Sequence, residues 1–197
     1  MPKRRQLNKE RVLATAVELA DASGGVGELT LTALAEALNV RVPSLYNHVN
    51  GLDGLYDDLT LLSGRMLLER IRRAAFGKTG EEALRAMAYA YRSFAREQPS
   101  LYPLTIEAPD PDQVERVVLA QEWLQMLLLT MASLGLEEQE ALHAIRAFRA
   151  LLHGFVSLEA AGGFKMAFDV DESFDYLLNN FLNSLHTWLP ASGSSAG

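Results

Sequence analysis

Positions 41–48 read RVPSLYNH and crowd polar side chains into a stretch barely long enough for two helical turns. Arg41 and Asn47 carry the planar groups that hydrogen-bond to base edges. Ser44, Tyr46 and His48 are side-chain types that meet phosphate oxygens. Val42 supplies an apolar neighbour, and Pro43 is tolerated in the first turn of a helix. These types, so close together, suit contact with a nucleic-acid duplex. A second constellation, Glu140-Ala141-Leu142-His143, sets a carboxylate and an imidazole on one helix face, as metal-binding bundles do. Such a bundle needs the motif twice, but His48, His153 and His186 are preceded three residues earlier by Leu45, Ala150 and Asn183. A helical metalloenzyme is therefore a remote alternative. No glycine-rich phosphate loop or Ser-His-Asp set stands out, so neither an enzyme nor a cofactor is expected.

Charge is divided unevenly. The net charge is −7 and the pI about 5.1, values that argue against a simple polyanion binder. Yet residues 1–11 hold five basic groups and one acid, and residues 1–50 are net +1, while residues 51–197 are net −8. The basic arm, Lys3 to Lys9, is expected to add affinity through counterion release rather than specificity. There are no cysteines, which excludes disulfides and thiolate metal sites and fits a cytoplasmic protein. No apolar run approaches the roughly 20 residues that span a membrane.

The polar stretch must be held by helices, because strand-type alternation is absent. Helical periodicity predicts elements over residues 8–23, 32–38, 43–49, 52–76, 80–98, 112–134 and 137–162, and a last one ending at Trp188. Thr30 or Thr32 can cap the second. Asp169 and Glu172 stand at capping-box spacing before the last. Ala35 is small where two helices must cross, and Asn39 begins a turn that needs a left-handed residue. Val40 and Leu45 are expected to point back to the core. Two short helices about a tight turn, the second polar outside, describe a helix-turn-helix. The expected organisation is all-α: residues 1–52 a DNA-binding unit with a basic arm, 53–190 a larger helical body, 191–197 a disordered tail.

The segment TLTALAEALNVRVPSLYNHVNGLDGLYDDL resembles the DNA-binding domain of the tetracycline-repressor (TetR) family. The resemblance covers roughly residues 8–60. It rests on Ala35, the turn Asn39-Val40 and the segment Leu45-Tyr46-Asn47-His48-Val49. Asn39 replaces the usual glycine. The lysine that often follows the recognition helix is absent, with Gly51-Leu52-Asp53 in its place, so a phosphate there must meet backbone N–H groups. The resemblance implies a homodimeric transcriptional regulator, most simply a repressor released from a palindromic operator by a small apolar or amphipathic ligand. Control by a protein partner, or none, is the alternative. Expected DNA contacts are Thr32, Arg41, Val42, Pro43, Ser44, Tyr46, Asn47 and His48.

The body carries two stripes at 3–4 spacing. Ala147, Ala150, Gly154, Ser157 and Ala161 form one of small residues; Phe174, Leu178, Phe181 and Leu185 lie on another, with Leu177 and Trp188. Periodicity alone leaves packing inside one chain and packing between two chains open; the resemblance implies that both stripes form a dimer interface. It also implies a ligand pocket, for which Met87, Tyr91 and Phe94 on one helix and Trp123, Met126 and Leu127 on another are candidates. His153 is a candidate polar group there. His153-Gly154 is similar to a subgroup signature in which a Trp precedes the pair, but Phe148, Arg149 and Ala150 fill that region here.

Overall fold

The computed structural model describes residues 7–187, among which eight α-helices and two short 3-10 helices occur and no strand. Most of the basic arm, the tail and Trp188 lie outside the described residues. Helix α1, Lys9–Ser23, is capped by Asn8, whose side chain accepts from the Arg11 N–H. Helix α2, Leu31–Leu38, is capped by Thr30 rather than Thr32. Asn39 then adopts the left-handed conformation (φ 53°, ψ 50°), and its N–H closes the helix on the Ala35 and Glu36 carbonyls. Helix α3, Val42–Leu45, is shorter than the expected 43–49. The chain tightens where the His48 N–H bonds back to the Leu45 carbonyl, three residues away, and ends in a turn.

Val12, Ala16 and Ala20 of α1, Leu34, Ala35 and Leu38 of α2, and Leu45 and Val49 are all buried and form one core with Leu55 and Leu59 of α4, Gly51–Ala75. Val40 is only half-buried. Helix α4 runs without a break across the expected junction at residue 52. It is tied to α1 by a 2.6 Å Lys9–Asp58 ion pair and to the loop before α2 by the Tyr56 hydroxyl on the Val26 carbonyl.

The body comprises the rest of α4 with α5 (Gly80–Glu97), α6 (Val114–Ala132), α7 (Glu138–Ala160) and α8 (Val170–Leu185). Helix α5 is its axis and touches the other four. Against α6, α4 is held in register: Arg65 pairs with Glu115 and Arg72 with Glu122, seven residues apart on each helix. Beside the first of these rungs the helices close so tightly that a Cβ at Gly64 would lie 2.6 Å from Leu119 Cδ2.

The last helix corrects one expectation. Phe174 and Leu178 are fully enclosed in the single chain, with Phe181 and Leu185 also buried, so this stripe is core and offers no surface to a second chain. Aromatic packing explains it: Phe181 stacks on Phe148, and Phe174 meets Phe155 and Tyr89. The stripe on α7 differs. Ala150, Gly154 and Ala161 are exposed, Ala147 and Ser157 half-buried, and Leu158 between them is exposed. Asp169 caps α8 by accepting from the Asp171 N–H, and no bond returns from Glu172 among the described residues.

Candidate DNA-contacting face and internal cavity

The crossing of α1 and α2 presents α3 outward. Leu45 anchors it with no exposed surface, and Val49 fixes the turn after it. On the outer side Thr32, Arg41, Pro43, Tyr46 and Asn47 are exposed, and Val42, Ser44 and His48 are half-buried. None of the eight expected contacts is buried. The side chains of Arg41, Ser44, Tyr46, Asn47 and His48 make no hydrogen bond or ion pair among the described residues. Their donors and acceptors are free for a partner. Beside them, α4 opens at Gly51 (φ 72°) with no side-chain cap, so its first N–H groups also face outward uncommitted.

In the body, a partly enclosed cavity of about 220 Å³ lies between α4, α5, α6 and α7. Its wall includes Tyr91, Trp123, Leu127, Phe148, Arg149 and Leu152, and residues 105–109 cover it. Of the expected ligand contacts, Tyr91, Trp123 and Leu127 line it. Met87 and Met126 line a separate, wide groove of about 820 Å³ bounded by the end of α4, with Phe76 at its rim. Phe94 lines neither cavity: it has no exposed surface and takes the Arg70 guanidinium against its ring, so it is a core residue. His153 stands behind the wall. Its Nδ1 lies 2.6 Å from the Tyr102 hydroxyl and 3.3 Å from the Ser157 hydroxyl, and Tyr102 is 2.9 Å from the Tyr91 hydroxyl. A chain of polar groups therefore runs from the cavity wall to the α7 face beside Gly154. Sequence reading missed Phe148, Arg149 and Leu152. The signal for Phe148 and Leu152 was the face of α7 opposite the small stripe, where Ile145, Phe148 and Leu152 recur at helical spacing.

Burial raises the pKa of Tyr91, against opposing contributions from its bond with Tyr102 and the nearby Arg149. Burial raises that of Tyr102 strongly too, reinforced by its bond with Tyr91. Both phenols stay neutral in the fold. The unfolded chain releases both protons near pH 10, so stability is level below that pH and falls above it. In an alkaline titration followed by ultraviolet absorbance, two of the six tyrosines should ionise only as the helical circular-dichroism signal collapses. Full phenolate absorbance while the helices persist would contradict this.

Glu140 and His143 are exposed on α7, and no cluster of three or more metal-binding side chains occurs among the described residues. No described helix is long and apolar enough to cross a membrane.

A family profile described as tetracyclin repressor-like, C-terminal domain, matches residues 84–181, which hold α5 to α8 almost entirely. The HTH-type transcriptional regulator YobS of Bacillus subtilis (strain 168) is 32% identical over 179 residues, 91% of this chain and 93% of that protein. The chain belongs to the TetR family of transcriptional regulators. A second relative, the HTH-type regulator Rv0681 of Mycobacterium tuberculosis, is 31% identical over 158 residues, covering 80% of this chain and 72% of that one. A point variant of TetR from Acinetobacter baumannii AYE, in complex with minocycline, superposes with a TM-score of 0.70 at 23% identity, over 94% of this chain and all of that one. The TetR chain described above is thus a DNA-binding transcriptional regulator, all-α with a helix-turn-helix at its N-terminal end. The TetR family consists of regulators rather than enzymes.

Proposed function

We propose that the protein is a homodimeric cytoplasmic repressor that grips a palindromic operator through α3 and releases it when a small molecule enters the enclosed cavity. The observation that carries the DNA half of this reading is the uncommitted polar set on α3, rigidly mounted on Leu45 and flanked by the open start of α4. A palindrome follows from a two-fold dimer, whose recognition helices must enter major grooves about 34–36 Å apart. The second copy is placed on the exposed small stripe of α7. The ligand half is supported by the cavity's partial enclosure and aromatic wall, and by the minocycline complex of the TetR variant, a statement about that protein alone. Residues up to 52 would then be the operator-reading unit and the body the sensing unit. The ion-paired register between α4 and α6 gives the route. A ligand that shifts α6 drags α4, and α4 carries the helix-turn-helix; a coupling of about 1–3 kcal/mol is enough for a usable switch.

Selection of random duplexes tests the reading, and a two-fold symmetric motif is expected; enrichment of no motif would sink it. Against the recovered operator, Asn47→Ala or Arg41→Ala should cost about 1–3 kcal/mol and relax preference at one position. Tyr46→Phe should weaken all sequences alike. Equal losses on operator and random DNA for Asn47→Ala would remove it from base reading.

A further inference from the structure

The enclosed cavity has a sign. Arg149 is the one cation among the residues that line it. Its guanidinium is pinned by a 2.6 Å bond from Nη2 to the Ile106 carbonyl, on the segment that covers the cavity. This leaves the rest of its planar fork uncommitted. Arg65, Arg70, Arg72 and Arg92 of the same body each pair with a carboxylate, but no carboxylate stands within 4.0 Å of Arg149 among the described residues. Glu107 also lines the cavity, so the two charges must be weighed. The positive field of Arg149 reaches both buried phenols, Tyr91 and Tyr102, where it favours negative charge. No carboxylate acts on either phenol in the opposite sense. Glu107 is exposed and makes no hydrogen bond or ion pair among the described residues, so it can turn to water. Arg149 is therefore the charge fixed in place at the cavity, held by the Ile106 carbonyl. The remaining wall is apolar and aromatic, and about 220 Å³ is below the roughly 300–1,000 Å³ of drug-sized sites.

We propose that the cavity takes a small aromatic carboxylate, its carboxylate on the Arg149 fork and its ring between Trp123 and Phe148. This rests on reading the cavity as the effector site, and it narrows the effector to one chemical class. A guanidinium meets a carboxylate through two parallel, charge-assisted bonds, a geometry that a neutral amide of the same shape cannot match. Arg149 stands at the exposed edge of the cavity, so the carboxylate can approach with much of its hydration intact while the ring is buried.

The probes are para-nitrobenzoate and its neutral isostere para-nitrobenzamide, both quenchers of indole fluorescence. The full chain carrying Trp188→Phe keeps Trp123 as its single tryptophan. Nitrobenzoate should quench with an affinity about tenfold or more above nitrobenzamide. Arg149→Gln should weaken the acid alone and bring the pair to within about twofold. Arg146→Gln, on the exposed side of the same helix, should leave the ratio unchanged. Equal or tighter binding of the amide, a ratio untouched by Arg149→Gln, or quenching by neither probe at millimolar concentration would overturn the proposal. Operator release is measured separately with the same two compounds. Acid that binds through Arg149 without releasing DNA refutes the effector reading and leaves the acid site standing. Amide that binds more tightly and releases DNA does the reverse.

Discussion

Gly154→Leu should convert the protein to a folded monomer and lower operator affinity about 10²–10⁴-fold, the avidity lost when two half-site grips become one. The size of the effect comes from where this glycine stands. A Cβ built at Gly154 meets no atom within 4 Å, so a leucine side chain has room in the single chain. Leucine is also the better helix former, by up to about 1 kcal/mol. The fold of one chain therefore gains slightly or is unchanged. In the proposed dimer the same position is where two helices approach most closely, between Ala150 and Ser157. A branched side chain there separates the backbones and forfeits the packing of the whole stripe, at about 1–3 kcal/mol or more. Light scattering at micromolar concentration should show half the wild-type mass, and circular dichroism an undiminished helical signal. A mutant that remains dimeric and binds operator would move the interface away from α7. A mutant that unfolds would contradict the open space around Gly154.

The helix-turn-helix could be read from sequence because its determinants are local. Asn39 was legible as a left-handed turn residue, and Leu45 as the anchor of α3, because each follows from a neighbour or two along the chain. The length of α3 was not legible. Whether residues 46–49 continue a helix or tighten depends on one carbonyl choice, His48 N–H on Leu45, which periodicity does not encode. The body was legible as helices and not as surfaces. Trp123 and Met126 sit three residues apart on one helix and share an apolar character, yet one faces the enclosed cavity and the other the open groove. Tyr91 and Phe94 are three apart on α5, and only Tyr91 reaches the cavity. An apolar stripe records that something covers it, not what does. Thus periodicity leaves the cover of Phe174, Leu178, Phe181 and Leu185 open, the family resemblance implies a partner chain, and α7 and α5 in fact cover them. Arg149 gave no signal, since an arginine on a helix is ordinary until its surroundings are known.

Arg92→Met should lower stability by an amount near the lower end of the roughly 3–5 kcal/mol seen when one member of a buried ion pair is removed. For a chain of this size that is a fall in melting temperature of about 6–12 °C. Arg92 lies on α5 with its side chain 5% exposed, and it joins three helices. Its guanidinium makes two bonds to Glu159 of α7, at 2.6 and 3.0 Å, and reaches Asp171 of α8 at 2.8 Å. It also lies over the rings of Phe155 and Phe174, at 5.2 and 4.7 Å from their centres. The pair with Asp171 contributes little, because that carboxylate is largely in water. Glu159 is the decisive partner, with its side chain only 19% exposed, and it would be left as an uncompensated charge. The bond to Glu159, foremost among the causes, raises the Arg92 pKa above its already high ordinary value despite burial. Stability from that shift is complete below the ordinary arginine pKa and is lost only as pH rises through the still higher folded value. The Arg92 contribution should accordingly be flat through the neutral range. Arg92→Lys keeps the charge and loses the fork, so it should fall between wild type and Arg92→Met. Methionine at both Arg92 and Glu159 removes the orphaned charge and should recover much of the loss, because apolar replacements of buried pairs are often near neutral. A double variant no more stable than Arg92→Met alone would show that the aromatic contacts of the guanidinium, and not its pairing with Glu159, hold α5, α7 and α8 together.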